Sequence, residues 1–121
     1  MENDMIHSPQ HYTQASVPLE PIDILRYAPF DLGNCLKYIL RAGHKGDALE
    51  DWKKAKKYLN WAIESHHMNY KPYSDFFDYY GLLLCKFEVF KHISFKHNHL
   101  FFKDLDDLIN DNIRSISNKN L

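Results

Sequence analysis

Cysteine is scarce in this sequence, and its scarcity sets a first limit on function. Only Cys35 and Cys85 occur among the 121 residues. Two cysteines cannot build a disulfide framework, and these two are far from any spacing used by metal ligands. The sequence therefore predicts a reduced, cytoplasmic setting.

Long hydrophobic runs are also missing. No apolar stretch approaches the ~20 residues that a membrane-spanning helix needs. The start of the chain, Met1-Glu-Asn-Asp4, lacks the basic beginning and apolar segment of a signal peptide. We therefore expect no membrane partner and no export.

Excess charge of one sign is absent as well, because the formal net charge is −1. This balance argues against general nucleic-acid or membrane binding. The length of the chain separately predicts a single domain over residues 1–121. The charge is nevertheless uneven, since residues 36–57 hold seven Lys or Arg against three acidic residues. Such a local excess suits an anionic ligand.

Glycine is rare, with four in the chain, but three of them lie between Gly33 and Gly46. Glycine lets the backbone approach a ligand closely, and the amides that open a helix attract anions. These glycines do not form a Walker phosphate-binding loop, because the Gly-x-x-x-x-Gly-Lys-Ser/Thr pattern is absent. The alternative for Gly43-His-Lys-Gly46 is a helix C-terminus followed by a tight turn.

Polar and basic residues surround these glycines at helical spacing. An arginine can hold a phosphate through two parallel hydrogen bonds, whereas a lysine acts as a mobile point charge. We predict a phosphate-bearing ligand bound by Asn34, Lys37, Tyr38, Arg41, His44, Lys45 and Lys54. For Arg41 the alternative is a salt bridge to Asp47 or Asp51.

Two carboxylates, Glu50 and Asp51, are the predicted catalytic residues. They could hold Mg²⁺, which is the one cofactor that catalysis would imply, or accept a proton. The alternative is that they neutralise the positive end of a helix that Asp47 caps. A basic patch is also indicated by the nearby Lys53, Lys54, Lys56 and Lys57. The alternative is that these lysines form a solvated helix face.

Hydrophobic periodicity predicts an all-α fold of about five helices behind an extended N-terminal arm. The helices are expected from about Glu20, over 31–43, from Asp47 to about 66, over about 74–90 and over about 104–117, with a short strand or hairpin as an option near 92–102. The fourth is apolar on nearly all sides. This predicts a homo-oligomer with contacts from Phe77, Tyr79, Leu84 or Val89.

Eight histidines do not make a metal site here. His7 and His11 are four residues apart, but Pro9 between them prevents helical ligand geometry. The pairs His66/His67 and His97/His99 have no cysteine or carboxylate at zinc-like spacing. We predict no metal site built from these histidines.

Several blocks of sequence occur in a recognisable order, namely His7-Ser-Pro-Gln-His-Tyr12, Glu20-Pro-Ile-Asp23, Leu32 to Asp47 and Glu50 to Leu59. Together they resemble the phage nucleotide-kinase-like family, whose characterised relative is an early nucleotide kinase of a short-tailed coliphage. The resemblance covers about residues 7–65, and the aromatic-rich residues 66–121 have no matching pattern. Matched residue by residue, the resemblance implies that the functional residues are His11, Tyr12, Glu20, Asp23, Asn34, Lys37, Tyr38, Arg41, Lys45, Asp51 and Lys54.

The resemblance implies a phage-type nucleotide-binding protein in the host-cell cytoplasm that could be a nucleoside monophosphate kinase. Phosphoryl transfer depends mainly on positioning and charge, so Lys37, Arg41 and Lys45 could serve without a nucleophile. The alternative is a non-catalytic phage effector that sequesters a nucleotide signal or binds and inhibits a host defence protein. A third option is an assembly protein whose aromatic half makes the contacts.

Overall fold

The computed structural model describes residues 19–95 and 98–119, and these two ranges contain helices and no strand. The all-α prediction with five helices is thereby confirmed. The α-helices are α1 Ile22–Leu25, α2 Phe30–Arg41, α3 Ala48–Met68, α4 Lys71–Leu84 and α5 Asn98–Lys119, with a 3₁₀ turn at Glu88–Phe90 before α5. The predicted arm, residues 1–18, lies outside the described residues.

Helices α2 and α3 form an antiparallel hairpin, and the sequence predicts the turn between them. Gly43 and Gly46 have φ values of +85° and +70°, which glycine adopts without strain. Asp47 caps α3, because its carboxylate accepts hydrogen bonds from the amides of Leu49 at 2.9 Å and Glu50 at 3.4 Å. Both the C-terminal glycine and the capping prediction are confirmed.

The other end of this hairpin is fixed by Asp31. Helix α2 was expected to begin at Asp31, but it begins one residue earlier after Pro29, and Asp31 lies in its first turn. Its carboxylate accepts hydrogen bonds from the hydroxyls of Ser65 on α3 at 2.9 Å and Tyr73 on α4 at 2.8 Å. One carboxylate thus links three helices.

Helix α3 is central, because α2 packs on one side of it and α5 on another. Its apolar stripe of Trp52, Ala55, Leu59 and Ala62 is buried, as the sequence predicts. The remaining core is strongly aromatic and joins α4, α5 and the segment between them through Phe76, Phe77, Phe90, Phe95, Phe101 and Phe102.

Both ends of α4 and the start of α5 differ from the prediction. Helix α4 begins at Lys71 rather than Ser74, because Pro72 lies in the first turn, where its missing N–H costs nothing. It ends at Leu84, and the residues up to Phe90 turn away. The optional hairpin near 92–102 is wrong, because 98–102 belong to α5 and the described residues before them form no strand. Burial of Phe101 and Phe102 against α4 outweighs the local alternation of polar and apolar residues.

The predicted oligomer contact also changes. Phe77 and Leu84 are buried in the core of their own chain, so they cannot contact a second copy. Tyr79 is 65% exposed, and Leu82 beside it is exposed too. A helix that looks apolar all round is here covered by α5 and by the segment around Phe95. Homo-oligomerisation itself stays a prediction.

Candidate functional site

The end of α2 and the start of α3 are joined by Arg41 and Asp51. The Nε of Arg41 lies 3.4 Å from Oδ2 of Asp51, and the side chains are 45% and 5% exposed. This oxygen accepts no hydrogen bond from the described part of the chain, so the contact is an ion pair without an aligned hydrogen bond. The salt-bridge alternative for Arg41 is therefore what the structure shows, while the Arg41 side chain as a whole stays 45% exposed.

The glycine turn lies directly against this ion pair. A Cβ at Gly46 would meet Nη2 of Arg41 at 3.6 Å, so the turn and the guanidinium are in contact distance. Lys45 is exposed in the same turn. His44 points elsewhere, because it lines a separate cavity of about 320 Å³ together with Ile39, Leu40 and Trp52. The structure therefore separates His44 from the other predicted ligand residues.

Two predicted lysines meet at the ring of Tyr38. The Nζ of Lys37 lies 4.5 Å from the ring centroid, and the Nζ of Lys54 from the neighbouring helix lies 5.4 Å from it. Cation–π attraction holds each ammonium near the electron-rich ring. Both ammonium groups are positively charged, so two cations from neighbouring helices lie around one ring and can attract an anion. This arrangement is suited to a phosphate.

A groove between α1 and α2 adjoins these lysines. It has a volume of about 530 Å³, and its polar lining residues are Arg26, Asn34 and Lys37. The remaining lining is mainly apolar, from Pro21, Ile22, Leu25, Ala28, Phe30 and Gly33. A few polar groups on a largely apolar concave wall is the usual composition of a small-molecule site.

The predicted catalytic carboxylates do not face this groove together. Glu50 is exposed in the first turn of α3, whereas Asp51 is buried and paired with Arg41. Within 19–95 and 98–119, no group of three or more His, Cys, Asp or Glu side chains could hold a metal ion. Asp23, implied by the resemblance, accepts a hydrogen bond from the amide of Glu20 at 3.0 Å and so stabilises the start of α1.

Neither cysteine is poised as a nucleophile. Burial, assisted by the negative charge of Asp31, raises the pKa of the Cys35 thiol far above its usual range. Burial also raises the pKa of Cys85. Since the thiolate is the reactive form, burial disfavours the reactivity of both thiols.

Sequence analysis missed part of the surface around Tyr38. Tyr58 of α3 stacks on Tyr38, with ring centroids 5.9 Å apart and planes 12° from parallel. Trp61 and Phe30 approach Tyr58 edge-on. Helical spacing placed Tyr58 one turn beyond Lys54, but it could not show which ring of α2 lies opposite. His11 and Tyr12, also predicted to bind the ligand, lie outside the described residues.

No helix among the described residues is long and apolar enough to cross a membrane. Neither the curated proteins nor the solved structures contain a match to this chain. A match does exist to a family model, over residues 6–60, which include α1, α2 and the first half of α3. The first half of the chain is thus similar to a family described as a protein of unknown function, DUF3310.

Proposed function

We propose that this chain is a phage-type nucleotide-binding protein whose ligand lies on the surface shared by α1, α2 and the start of α3. The observation that carries the proposal is the convergence of Lys37 and Lys54 on Tyr38 beside the groove. The phosphate would bind between the two ammonium groups, within reach of the open side of Arg41.

The groove offers a place for the rest of the nucleotide. Exposed Ile22 and Phe30 provide apolar surface for a base, and the amide of Asn34 carries both a donor and an acceptor for a base edge or a hydroxyl. Arg26 adds a second positive charge at the opposite wall. A phosphorylated, partly aromatic small molecule fits this combination best.

The placement of the carboxylates Glu50 and Asp51 favours a protein that binds a nucleotide without turning it over. Phosphoryl transfer needs groups that hold a metal or orient the acceptor near the phosphates. The charge of Asp51 is already opposed by Arg41, and Glu50 is exposed at the start of α3. A nucleoside monophosphate kinase remains the alternative form, and the assay below separates the two.

Calorimetric titration with a panel of nucleoside mono-, di- and triphosphates tests the proposal. We expect Lys37→Ala and Lys54→Ala each to weaken binding about 10- to 100-fold, because a hydrogen bond to a charged group is worth about 1.5–3 kcal/mol. The matched control is Lys53→Ala, since Lys53 is an exposed lysine of the same helix. Wild-type affinity in both site variants would contradict the proposal.

Arginine 41 is better tested by Arg41→Lys than by removal. Alanine would leave the buried carboxylate of Asp51 without its opposing charge and could destabilise the fold. Lysine keeps the charge but loses the planar fork, so we expect weaker phosphate binding in a folded protein. Incubation of each monophosphate with a triphosphate and Mg²⁺, followed by chromatography, then detects turnover. Diphosphate product that disappears in Asp51→Asn would establish the kinase alternative.

A further inference from the structure

Four aromatic rings form a continuous cluster on the outer side of α2 and α3. Tyr58 is its centre, stacked on Tyr38 and met edge-on by Phe30 at 6.3 Å and Trp61 at 5.4 Å between centroids. Phe30 and Trp61 lie at the surface, with exposures of 80% and 45%, whereas Tyr38 and Tyr58 are partly buried against the core. Exposed aromatic rings that adjoin one another and are rimmed by polar residues are a common feature of interaction surfaces.

Three lysines border the cluster. Lys37 and Lys54 lie by Tyr38, and the Nζ of Lys57 lies 5.1 Å from the ring centroid of Trp61. By helical spacing, Glu50 and Glu64 lie beyond the two ends of the row on α3. We call this surface the aromatic–lysine face, made up of Phe30, Lys37, Tyr38, Lys54, Lys57, Tyr58 and Trp61.

We propose that the aromatic–lysine face binds a short segment of single-stranded nucleic acid. Single strands are bound by aromatic rings on which bases stack and by basic groups that follow the backbone, and this face presents both. A duplex hides its bases, so the exposed rings would be of no use to it. The overall charge of −1 limits this binding to one local face rather than the whole surface.

Two separated sets of contacts distinguish a strand from a mononucleotide. Lys54 and Trp61 are seven residues apart on α3, which corresponds to about 10 Å along the helix. One phosphate at Tyr38 would use Lys37 and Lys54 but would leave Lys57 and Trp61 without a ligand. A strand of two or more nucleotides can use both ends of the face.

This inference extends the proposed nucleotide site, since Phe30, Lys37, Tyr38 and Lys54 belong to both. The competing explanation is purely structural, because lysine stems commonly cover aromatic surface while their ammonium groups stay in water. That explanation predicts no affinity for nucleic acid. It also predicts that removing Trp61 changes nothing but local packing.

Trp61 supplies an intrinsic probe for the test. The chain has two tryptophans, and Trp52 is buried, so quenching by a ligand on the face would come from Trp61. We would titrate the full chain with a ten-nucleotide single-stranded oligothymidylate, the matching duplex and thymidine monophosphate. Anisotropy of a fluorescently labelled oligonucleotide gives the affinity of variants that lack the tryptophan.

We expect the single strand to quench Trp61 and to bind at least tenfold more tightly than the duplex or the monophosphate. Trp61→Ala and Phe30→Ala should each weaken binding about 5- to 150-fold, the range that corresponds to the loss of one stacked base. The matched control is Tyr79→Ala, because Tyr79 is an exposed aromatic residue on α4. It should bind like wild type.

Salt dependence tests the lysines separately. Three phosphate contacts to a single strand predict a slope of log K against log salt of about −2. Lys57→Ala should reduce the size of this slope by about 0.7, whereas Lys53→Ala should leave it unchanged. Circular dichroism of each variant verifies that the fold is intact.

The outcomes separate this inference from the proposed nucleotide site. Monophosphate binding with no tighter binding of the ten-nucleotide strand would overturn the inference and leave the nucleotide proposal standing. Strand binding that Trp61→Ala and Tyr79→Ala weaken equally, or that the duplex matches, would also overturn it. Strand binding with no affinity for any mononucleotide would support the inference and count against the nucleotide proposal.

Discussion

The two halves of the chain use aromatic side chains in opposite ways. In α2 and α3, Phe30 and Trp61 lie at the surface beside lysines. In α4 and α5, rings such as Phe77 and Phe101 are buried against one another. The abundance of aromatic residues therefore does not by itself separate a core from a binding surface. The cations around a ring and its exposure make that distinction.

The family comparison divides the chain near the same place, although Trp61 lies one residue beyond the match. The family match ends at residue 60. It therefore includes α2 and the first part of α3 but none of the buried phenylalanines of α4, α5 and the segment between them. The second half supports the first through α5, which packs on α3, and through Tyr73, whose hydroxyl donates to Asp31. We interpret the second half as the scaffold that holds the α2–α3 hairpin in place.

The comparison is tested most strongly by removing one ring from each half. Phe101 is fully buried, and its ring centroid lies 4.6 Å from that of Phe95. We expect Phe101→Ala to lower the free energy of unfolding by about 3–5 kcal/mol, through lost burial and the cavity left behind. Phe30→Ala removes an exposed ring and should cost about 1 kcal/mol or less. Urea unfolding measures both.

Because a loss of this size could exceed the stability of a small domain, Phe101→Leu serves as a milder partner in the same experiment. It should still cost more than Phe30→Ala. Equal losses at the two positions would show that the division between a surface half and a core half is wrong.

Glycine gives a second, smaller comparison between the halves. A Cβ at Gly81 would lie 2.6 Å from Cβ of the buried Phe95, whereas a Cβ at Gly33 would meet Cβ of Ala28 at an ordinary 3.4 Å. Overpacking costs about 1–3 kcal/mol, and alanine gains up to about 1 kcal/mol over glycine inside a helix. We expect Gly81→Ala to destabilise the protein by about 1–2 kcal/mol.

Gly33→Ala, by contrast, should be neutral or stabilising by up to about 1 kcal/mol, since the helix gain meets no clash. Thermal unfolding of the two variants beside wild type decides the signs. A stabilising Gly81→Ala would mean that Phe95 is not held against α4 as tightly as the structure indicates.

The sequence predicted best what depends on neighbouring residues. Asp47 as the cap of α3 and Gly43 as the positive-φ glycine just beyond the end of α2 follow from local backbone chemistry, and both were correct. The ion pair of Arg41 was anticipated as an alternative because Asp51 lies only ten residues away.

Contacts between distant residues could not be predicted in this way. Nothing in the sequence near Asp31 indicates that Ser65 and Tyr73 donate to it. The aromatic–lysine face was missed for the same reason, because helical spacing gives the face of one helix but not the helix opposite. The early start of α5 likewise depends on the burial of Phe101 against α4, a tertiary effect.

The smallest expected difference concerns histidine in the cleft between α3 and α5. The ring of His66 packs on Phe102, with centroids 4.9 Å apart, and His67 lies beside it. Lys56, Lys103 and Asp106 line the same cleft. Burial, and secondarily the charge of His67, lower the pKa of His66 below the ordinary value of 6.5.

A lowered pKa in the folded state means that the unfolded chain binds the proton more readily. The stability associated with neutral His66 is therefore fully present above pH 6.5 and is lost as the pH falls towards the folded pKa. We expect His66→Gln to show a smaller loss of unfolding free energy than wild type between about pH 7.5 and 5.5, the range in which histidine titrates. A wild-type slope in His66→Gln would show that protonation of this ring does not weaken the contact between α3 and α5.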